Sequence, residues 1–212
     1  MFRSALSPKP RGLLQRLKLE TRPHHERAER TVRLLEPGLT LDGYREHLER
    51  LHGLWAPLEA ELARLLPVLP PELRASERWK LPLLVNDLEA LGHDATSLAR
   101  LPRATRLPRL TGLPEALGCF YVLEGSTLGG QLILRHLQRH FAAASAGGFA
   151  FFRAYGEEVG PMWRAFGAVV SGASAAAASE DFDARVVRAA QDTFDAFEAW
   201  LRREREDADV RL

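Results

Sequence analysis

The chain has 212 residues, 27% of them charged and 46% in the hydrophobic class, with 29 Lys and Arg against 28 Asp and Glu. That balance excludes bulk disorder, and a formal charge of +1 lacks the basic excess that a general nucleic-acid binder needs. The single cysteine, Cys119, excludes an internal disulfide framework, a cysteine zinc site and a cysteine-held iron–sulfur cluster. No apolar run reaches the ~18 residues of a membrane span, and the N-terminus has no apolar secretory core, so the expectation is a cytoplasmic chain without a membrane partner.

In chain order, residues 1–10 carry scattered basic residues and two prolines and read as a disordered tail ahead of one domain over 11–205. The charged segment 17–29 is helical in pattern. Pro23 is comfortable in a first turn after Thr21, so a helix start there competes with one further upstream. Tyr44, Leu48, Leu51, Trp55, Leu58, Leu62 and Leu65 step by four and three, one apolar stripe on a long helix. Thr40 or Asp42 starts it, and Pro57 should kink or break it. Residues 67–71 form a turn, 80–91 a shorter helix, and 93–112 a long, largely irregular connection. Helical patterns then cover 113–141 and 151 to about 170, with another turn at 145–149. Ser179 caps the last helix, with Glu180, Asp181 and Asp183 near its positive end and an apolar face of Phe182, Val186, Ala190, Phe194, Phe197 and Leu201. Beyond Leu201 the chain becomes charged and should fray, with 206–212 as a charged tail. There is no strand alternation, no repeat and no composition break. The fold class is all-α, a single-domain bundle of about seven to nine helices.

Two segments carry chemistry. In Leu17-Lys18-Leu19-Glu20-Thr21-Arg22-Pro23-His24-His25-Glu26-Arg27-Ala28-Glu29, the residues Thr21, His25 and Glu29 are four apart and share a helix face. An imidazole with a carboxylate one turn on can bind a metal through one ring nitrogen while the other donates toward Glu29. Lys18 and Arg22, one or two turns earlier, could meet the carboxylates of an anionic ligand. The same spacing also describes surface histidines on a charged helix, with Glu29 paired to an arginine.

The second segment, Cys119-Phe120-Tyr121-Val122-Leu123-Glu124-Gly125-Ser126-Thr127-Leu128-Gly129-Gly130-Gln131-Leu132, is flanked by helical periodicity yet holds Gly125, Gly129 and Gly130. Each glycine costs ~1 kcal/mol against alanine in a helix interior, so close approach or a bend is implied. Gly125 and Gly129 make a bare strip one turn long that suits a flat ligand, with the Ser126 and Thr127 hydroxyls beside it. Helix packing through small residues, or a loop, would use the same glycines. The segment lacks the lysine and spacing of a phosphate loop. Together, an axial imidazole on one helix and a bent, glycine-lined face on another would fit a planar iron macrocycle with its sixth position open to dioxygen.

These residues resemble the haem oxygenases, most closely the bacterial, biliverdin-producing type associated with bacteriophytochromes. LKLETRPHHERAE fits the proximal-helix pattern LKxxTxxxHxxxE with Thr21, His25 and Glu29 in register. YVLEGSTLGGQLI is similar to the kinked distal-helix signature. Weaker similarity covers residues 151–166 and the last helix around Phe194 and Phe197, so the resemblance spans about 17–201. It implies haem b as both cofactor and substrate, sandwiched between proximal and distal helices, with His25 as the iron ligand and Glu29 orienting it. It implies Gly125, Ser126 and Gly129 as the catalytic distal face. Lys18, Arg22, Tyr121, Thr127, Phe194 and Phe197 would be further haem contacts. Vertebrate-type members carry an aspartate where this chain has Ser126, so the distal water network is arranged differently. The implied reaction consumes dioxygen and electrons, opens the ring at a meso carbon, and yields biliverdin, carbon monoxide and ferrous iron. The chain has no flavin or dinucleotide fingerprint, so a separate ferredoxin or flavin reductase supplies electrons. A phytochrome receiving biliverdin, or iron release, would be the purpose. A haem-binding storage or sensor protein of the same fold, or a helical interaction protein with an incidental His25, are the competing readings.

Among the other residues, His47, His52, His93, His136 and His140 read as surface or partly buried. Trp55, Trp79, Trp163 and Trp200 read as packing residues, Cys119 as core, and Tyr155 and Arg164 as candidates for a propionate edge.

Overall fold

The computed structural model describes residues 12–142 and 148–209, with side chains described through Arg202. The expected tail at 1–10, most of the turn at 145–149 and residues 210–212 lie outside the described residues. Among the described residues the chain forms nine α-helices and no strand. They are α1 (Leu13–Glu20), α2 (Arg22–Glu29), α3 (Leu41–Arg64), α4 (Leu81–Ala90), α5 (Ala95–Arg100), α6 (Leu113–His140), α7 (Ala150–Arg153), α8 (Val159–Ala177) and α9 (Glu180–Asp209). The all-α bundle expected from periodicity is what forms.

The centre of the bundle is the pair α6 and α9. Arg185 bonds Glu115 and the Cys119 thiol meets Thr193, so the two helices run in the same direction. Gly118 is what lets them touch: a Cβ there would stand 2.7 Å from Ala189 Cβ and 2.8 Å from Ala190 N. Leu117, Cys119, Val186 and Ala190 are buried around it, and Phe120 is buried against Trp79. α6 is also the one helix among the described residues long and apolar enough by length and composition to cross a membrane, which corrects the expectation of no such run; 56% of that stretch is buried inside the protein, as in a core helix.

α3 packs on α4 and α9, with Tyr44, Leu48, Leu51, Trp55, Leu58 and Leu62 of its stripe buried. Thr40 is its cap, accepting from the Gly43 amide at 3.0 Å. The helix does not break at Pro57. Proline lacks the N–H that would bond Gly53 O one turn back. That carbonyl is instead satisfied by the Ala104 amide at 2.9 Å. Gly53 must be glycine for this docking, since a Cβ there would lie 2.5 Å from Pro102 O and 2.7 Å from the Trp200 ring. The connection 101–112 is therefore seated on α3 rather than loose, and Asp94 and Ser97 form a capping box that turns 95–100 into the unforeseen α5.

The helical pattern from 151 onward is split into α7 and α8, because Ala154 (φ 47°) and Gly156 (φ 60°) adopt left-handed backbone between them. At the other end α9 stays helical to Asp209 instead of fraying after Leu201. Ser179 accepts from the Phe182 amide at 3.3 Å, as its place before the acidic turn predicts.

Candidate functional site

α1 and α2 are one helical rod with a joint at Thr21. The joint stays hydrogen-bonded, Thr21 N to Leu17 O at 3.0 Å and His25 N to Thr21 O at 2.9 Å. Leu17 and Ala28 bury one side of the rod, and its polar side carries Lys18, Arg22 and His25. The His25 side chain is 52% exposed, with Nδ1 3.5 Å from Glu29 Oε2. That spacing is longer than a direct hydrogen bond and suits a charge that aligns the ring, leaving Nε2 free for a ligand. Phe194 of α9 stands edge-on to the imidazole with ring centres 5.4 Å apart. The neighbouring His24 turns the other way: its Nδ1 lies 2.6 Å from Asp195 Oδ1, and Arg27 donates to Asp195 at 2.6 Å and to Glu198 at 2.9 Å. The adjacent histidines thus divide, one tying α2 to α9 and one open.

On α6 the glycines also divide. Gly118 and Gly130 are packing glycines, the latter with Phe152 O 3.4 Å from a would-be Cβ. Gly125 faces Trp163 at an ordinary 3.8 Å, and Gly129 faces nothing within 4 Å. No protein atom needs Gly129 to be bare, yet it sits in a helix interior where glycine is costly. Leu128 and Leu132, 42% and 52% exposed, flank it. These two leucines were not singled out from the sequence, because a helix apolar on every side does not reveal which side is left open. α6 is unbroken through the glycines. Ser126 and Thr127 donate back to the carbonyls of Leu123 and Glu124, both at 2.7 Å, the contact that bends helices locally.

A groove of about 450 Å³ lies between α1, α6 and α8, lined by Leu14, Lys18, Tyr121, Trp163, Arg164 and Gly167 among others. Lys18 and Tyr121 come together here, and Arg164 joins them. Burial, the larger effect, pushes the Tyr121 phenol up, while the Thr21 hydroxyl beside it pulls it down. Trp163, read as a packing residue, is a wall of this groove.

Several predicted residues go elsewhere. Arg22 is paired with Glu26 at 2.8 Å on the exposed side of α2. Thr127 is buried, and its proton is taken by its own helix. Phe197 stacks edge-on against Trp55 in the core at 5.8 Å. Tyr155 donates to Glu124 Oε1 at 2.7 Å, inside the protein. His47 and His52, expected at the surface or partly buried, are buried, and burial lowers both to about 4. His136 and His140 stack at 5.4 Å, with His140 Nε2 2.7 Å from Leu39 O.

Among the described residues no three His, Cys, Asp or Glu side chains converge as a metal-holding group. The exposed His25 imidazole is therefore suited to a metal that arrives in its own equatorial ring, since such a metal asks the protein for one nitrogen. A flat, apolar macrocycle also suits the bare Gly129 surface, and Lys18 with Arg164 offers positive charge to acidic substituents at its edge.

The chain matches the Heme oxygenase family over residues 11–203. No curated protein sequence matches it. Its fold is similar to that of the heme oxygenase from Neisseria meningitidis, solved with NO and CO bound (19% identity, 92% of this chain and 92% of that one, TM-score 0.72). It is also similar to heme oxygenase from Leptospira interrogans (16% identity, 90% and 98% covered, TM-score 0.73). Heme oxygenase-1 from the cyanobacterium Synechocystis, solved in complex with heme, has the same fold (16% identity, 91% and 92% covered, TM-score 0.68). The match over residues 11–203, nearly the whole length, places this chain in the haem oxygenase family, the enzymes that degrade haem to biliverdin.

Proposed function

We propose that His25 is the iron ligand of this haem oxygenase and that the Gly125–Gly129 strip is its distal face. The observation that carries the reading is Gly129, a helix-interior glycine with open space where its side chain would be. Haem, when bound, supplies the iron that activates dioxygen and is itself the ring that is opened.

The chain's own residues then have distinct tasks. Glu29 holds the His25 ring direction and draws on its Nδ1 proton, which favours Nε2 as the ligand. Neutral histidine gives the iron less electron push than a thiolate would. Phe194 limits how the imidazole can turn. Lys18, with Arg164 and Tyr121 on the groove wall, would hold the acidic substituents of a bound haem. Gly125 and Gly129 let backbone approach the ring, and Leu128 and Leu132 keep that face dry. Ser126, exposed and already bonded to Leu123 O, leaves distal protons to ordered water rather than to a side-chain acid.

Electrons come from a separate ferredoxin or flavin reductase, because the chain carries no nucleotide-binding fingerprint. The setting is the cytoplasm, and the biliverdin formed serves a bacteriophytochrome or accompanies iron release.

The test is a hemin titration and turnover assay on wild type and His25→Ala in parallel. Wild type develops a sharp Soret band that decays to bilin absorbance with an electron donor and oxygen. His25→Ala loses the histidine-ligated spectrum. An unchanged spectrum in the variant would remove His25 from its role, and a Soret band that persists under turnover conditions would make the protein a haem carrier.

A further inference from the structure

Glu124 is the only charged residue between Glu115 and Arg135, and it is buried to 1% exposure. It precedes Gly125 directly. Three groups from outside α6 hold it. The Arg78 guanidinium pairs with Oε2, Lys80 Nζ lies 3.2 Å from Oε1, and the Tyr155 hydroxyl donates to Oε1 at 2.7 Å. Each partner is fixed in turn. Arg78 Nε donates to Leu73 O at 2.6 Å, and Lys80 Nζ donates to Arg78 O at 2.8 Å. A second buried carboxylate, Glu59 of α3, accepts from the Lys80 and Leu81 amides at 2.6 and 3.2 Å, pinning the same segment from behind.

Such a cluster is a poor way to gain stability, because desolvating two cations and a carboxylate offsets most of their attraction. What it supplies is a defined position. The Arg78 guanidinium also reaches Met162 O at 3.4 Å, and the next residue, Trp163, is the ring that covers Gly125 and leans on Tyr121 at 5.6 Å. One carboxylate thereby links the backbone beside Gly125, the helix carrying Trp163, and the α7–α8 connection carrying Tyr155.

We propose that Glu124 is a positioning residue for the haem reaction: through Arg78, Lys80 and Tyr155 it fixes where the Gly125–Gly129 face and Trp163 stand against the macrocycle, and so which ring edge is opened. This rests on the haem site described above. Glu124 itself touches only its protein partners. Neutralising it without changing its size should let the distal face shift and mix the products.

The test compares wild type, Glu124→Gln and Tyr155→Phe, with Glu20→Gln on the surface as a control. Two measurements are made: amide hydrogen exchange of the haem-free protein over 121–131, and the isomer composition of the bilin formed from hemin. For Glu124→Gln, exchange over 121–131 rises about tenfold while 44–58 is unchanged, and the bilin becomes a mixture different from that of wild type. Tyr155→Phe moves both in the same direction by less. A purely structural role would lower the unfolding temperature and leave the isomer composition alone; an unchanged composition therefore overturns the assignment whatever the exchange does. Should Glu124→Gln not fold, Tyr155→Phe carries the comparison and is read in the same way. Wild-type protein that makes no bilin marks a failure of the haem reading itself. Exchange then decides the structural half of the proposal: acceleration confined to 121–131 supports Glu124 as the group that fixes the Gly125–Gly129 face, and no acceleration overturns it.

Discussion

A single methyl group at Gly129 separates a glycine kept for packing from one kept for a ligand. In the haem-free protein the added Cβ meets nothing within 4 Å, so Gly129→Ala introduces no clash. It also removes the intrinsic penalty of glycine in a helix interior, a gain of about 1 kcal/mol. For a chain of this size that raises the unfolding temperature by roughly 2–4 °C. The same substitution at Gly118 is the contrasting case. Its Cβ would stand 2.7 Å from Ala189 Cβ and 2.8 Å from the Ala190 amide, forcing α6 away from α9 along the centre of the core. Overpacking of that kind costs about 1–3 kcal/mol or more. On the proposed haem site the order reverses for Gly129, where the methyl would occupy space that the bound ring needs. Turnover falls about tenfold to a hundredfold, the scale set by displacing a reacting group by an ångström. The assays are thermal unfolding of haem-free wild type, Gly129→Ala and Gly118→Ala, followed by hemin titration and bilin formation. A Gly129→Ala protein that is less stable than wild type, or that binds and degrades haem unchanged, would refute the reasoning.

Two more outcomes follow from buried groups. His47 and His52 are held at about 4 instead of 6.5, by burial first and then by Arg50 and by Arg103 with His93 respectively. Their folded values lie below the unfolded one, so their contribution is complete above pH 6.5 and is lost as pH falls toward 4. Glu59 and Asp87, raised by burial, act with the opposite sign and soften the loss. Urea unfolding at pH 7 and pH 5 should show a drop that is clearly smaller in the His47→Gln, His52→Gln double variant; an identical drop would contradict the assignment. The Cys119 thiol, pushed up to about 12 by burial, reacts with a disulfide reagent only on unfolding, so rapid labelling of native protein would show that the α6–α9 seam opens.

The stripes of α3 and α9, and the caps at Thr40 and Ser179, are legible because each depends on residues within a turn or two of one another. The proximal motif is legible for the same reason: Thr21, His25 and Glu29 share a face in a helix of any surroundings. What escaped depends on distant partners. Pro57 looks like a helix breaker until the Ala104 amide is seen to satisfy Gly53 O. Ala154 carries no sign that its φ will be positive. Thr127 sits in an apolar helix with several eligible faces, and Phe197 lies on the stripe of α9, where only the position of Trp55 on α3 decides that it packs in the core rather than against a ligand. Glu124 did leave a trace, a lone acid in an otherwise uncharged run, but its partners are 31 to 46 residues away. The Asp94–Ser97 box marks the short α5, but the two prolines that follow make the whole connection look irregular.

In the proposed haem site the two walls are fastened by different means. The glycine wall belongs to α6, whose other sides are sealed into the core. The imidazole wall is an eight-residue helix, jointed at Thr21, whose described ties to α9 are the His24–Asp195, Arg27–Asp195 and Arg27–Glu198 contacts at its rim and the edge-on His25–Phe194 pair. Rim ion pairs of this sort contribute at most about 1 kcal/mol each and weaken as ionic strength rises. On that proposal, entry of a rigid planar guest and exit of its cleaved product have an inexpensive hinge on the His25 side and a stationary anvil on the other.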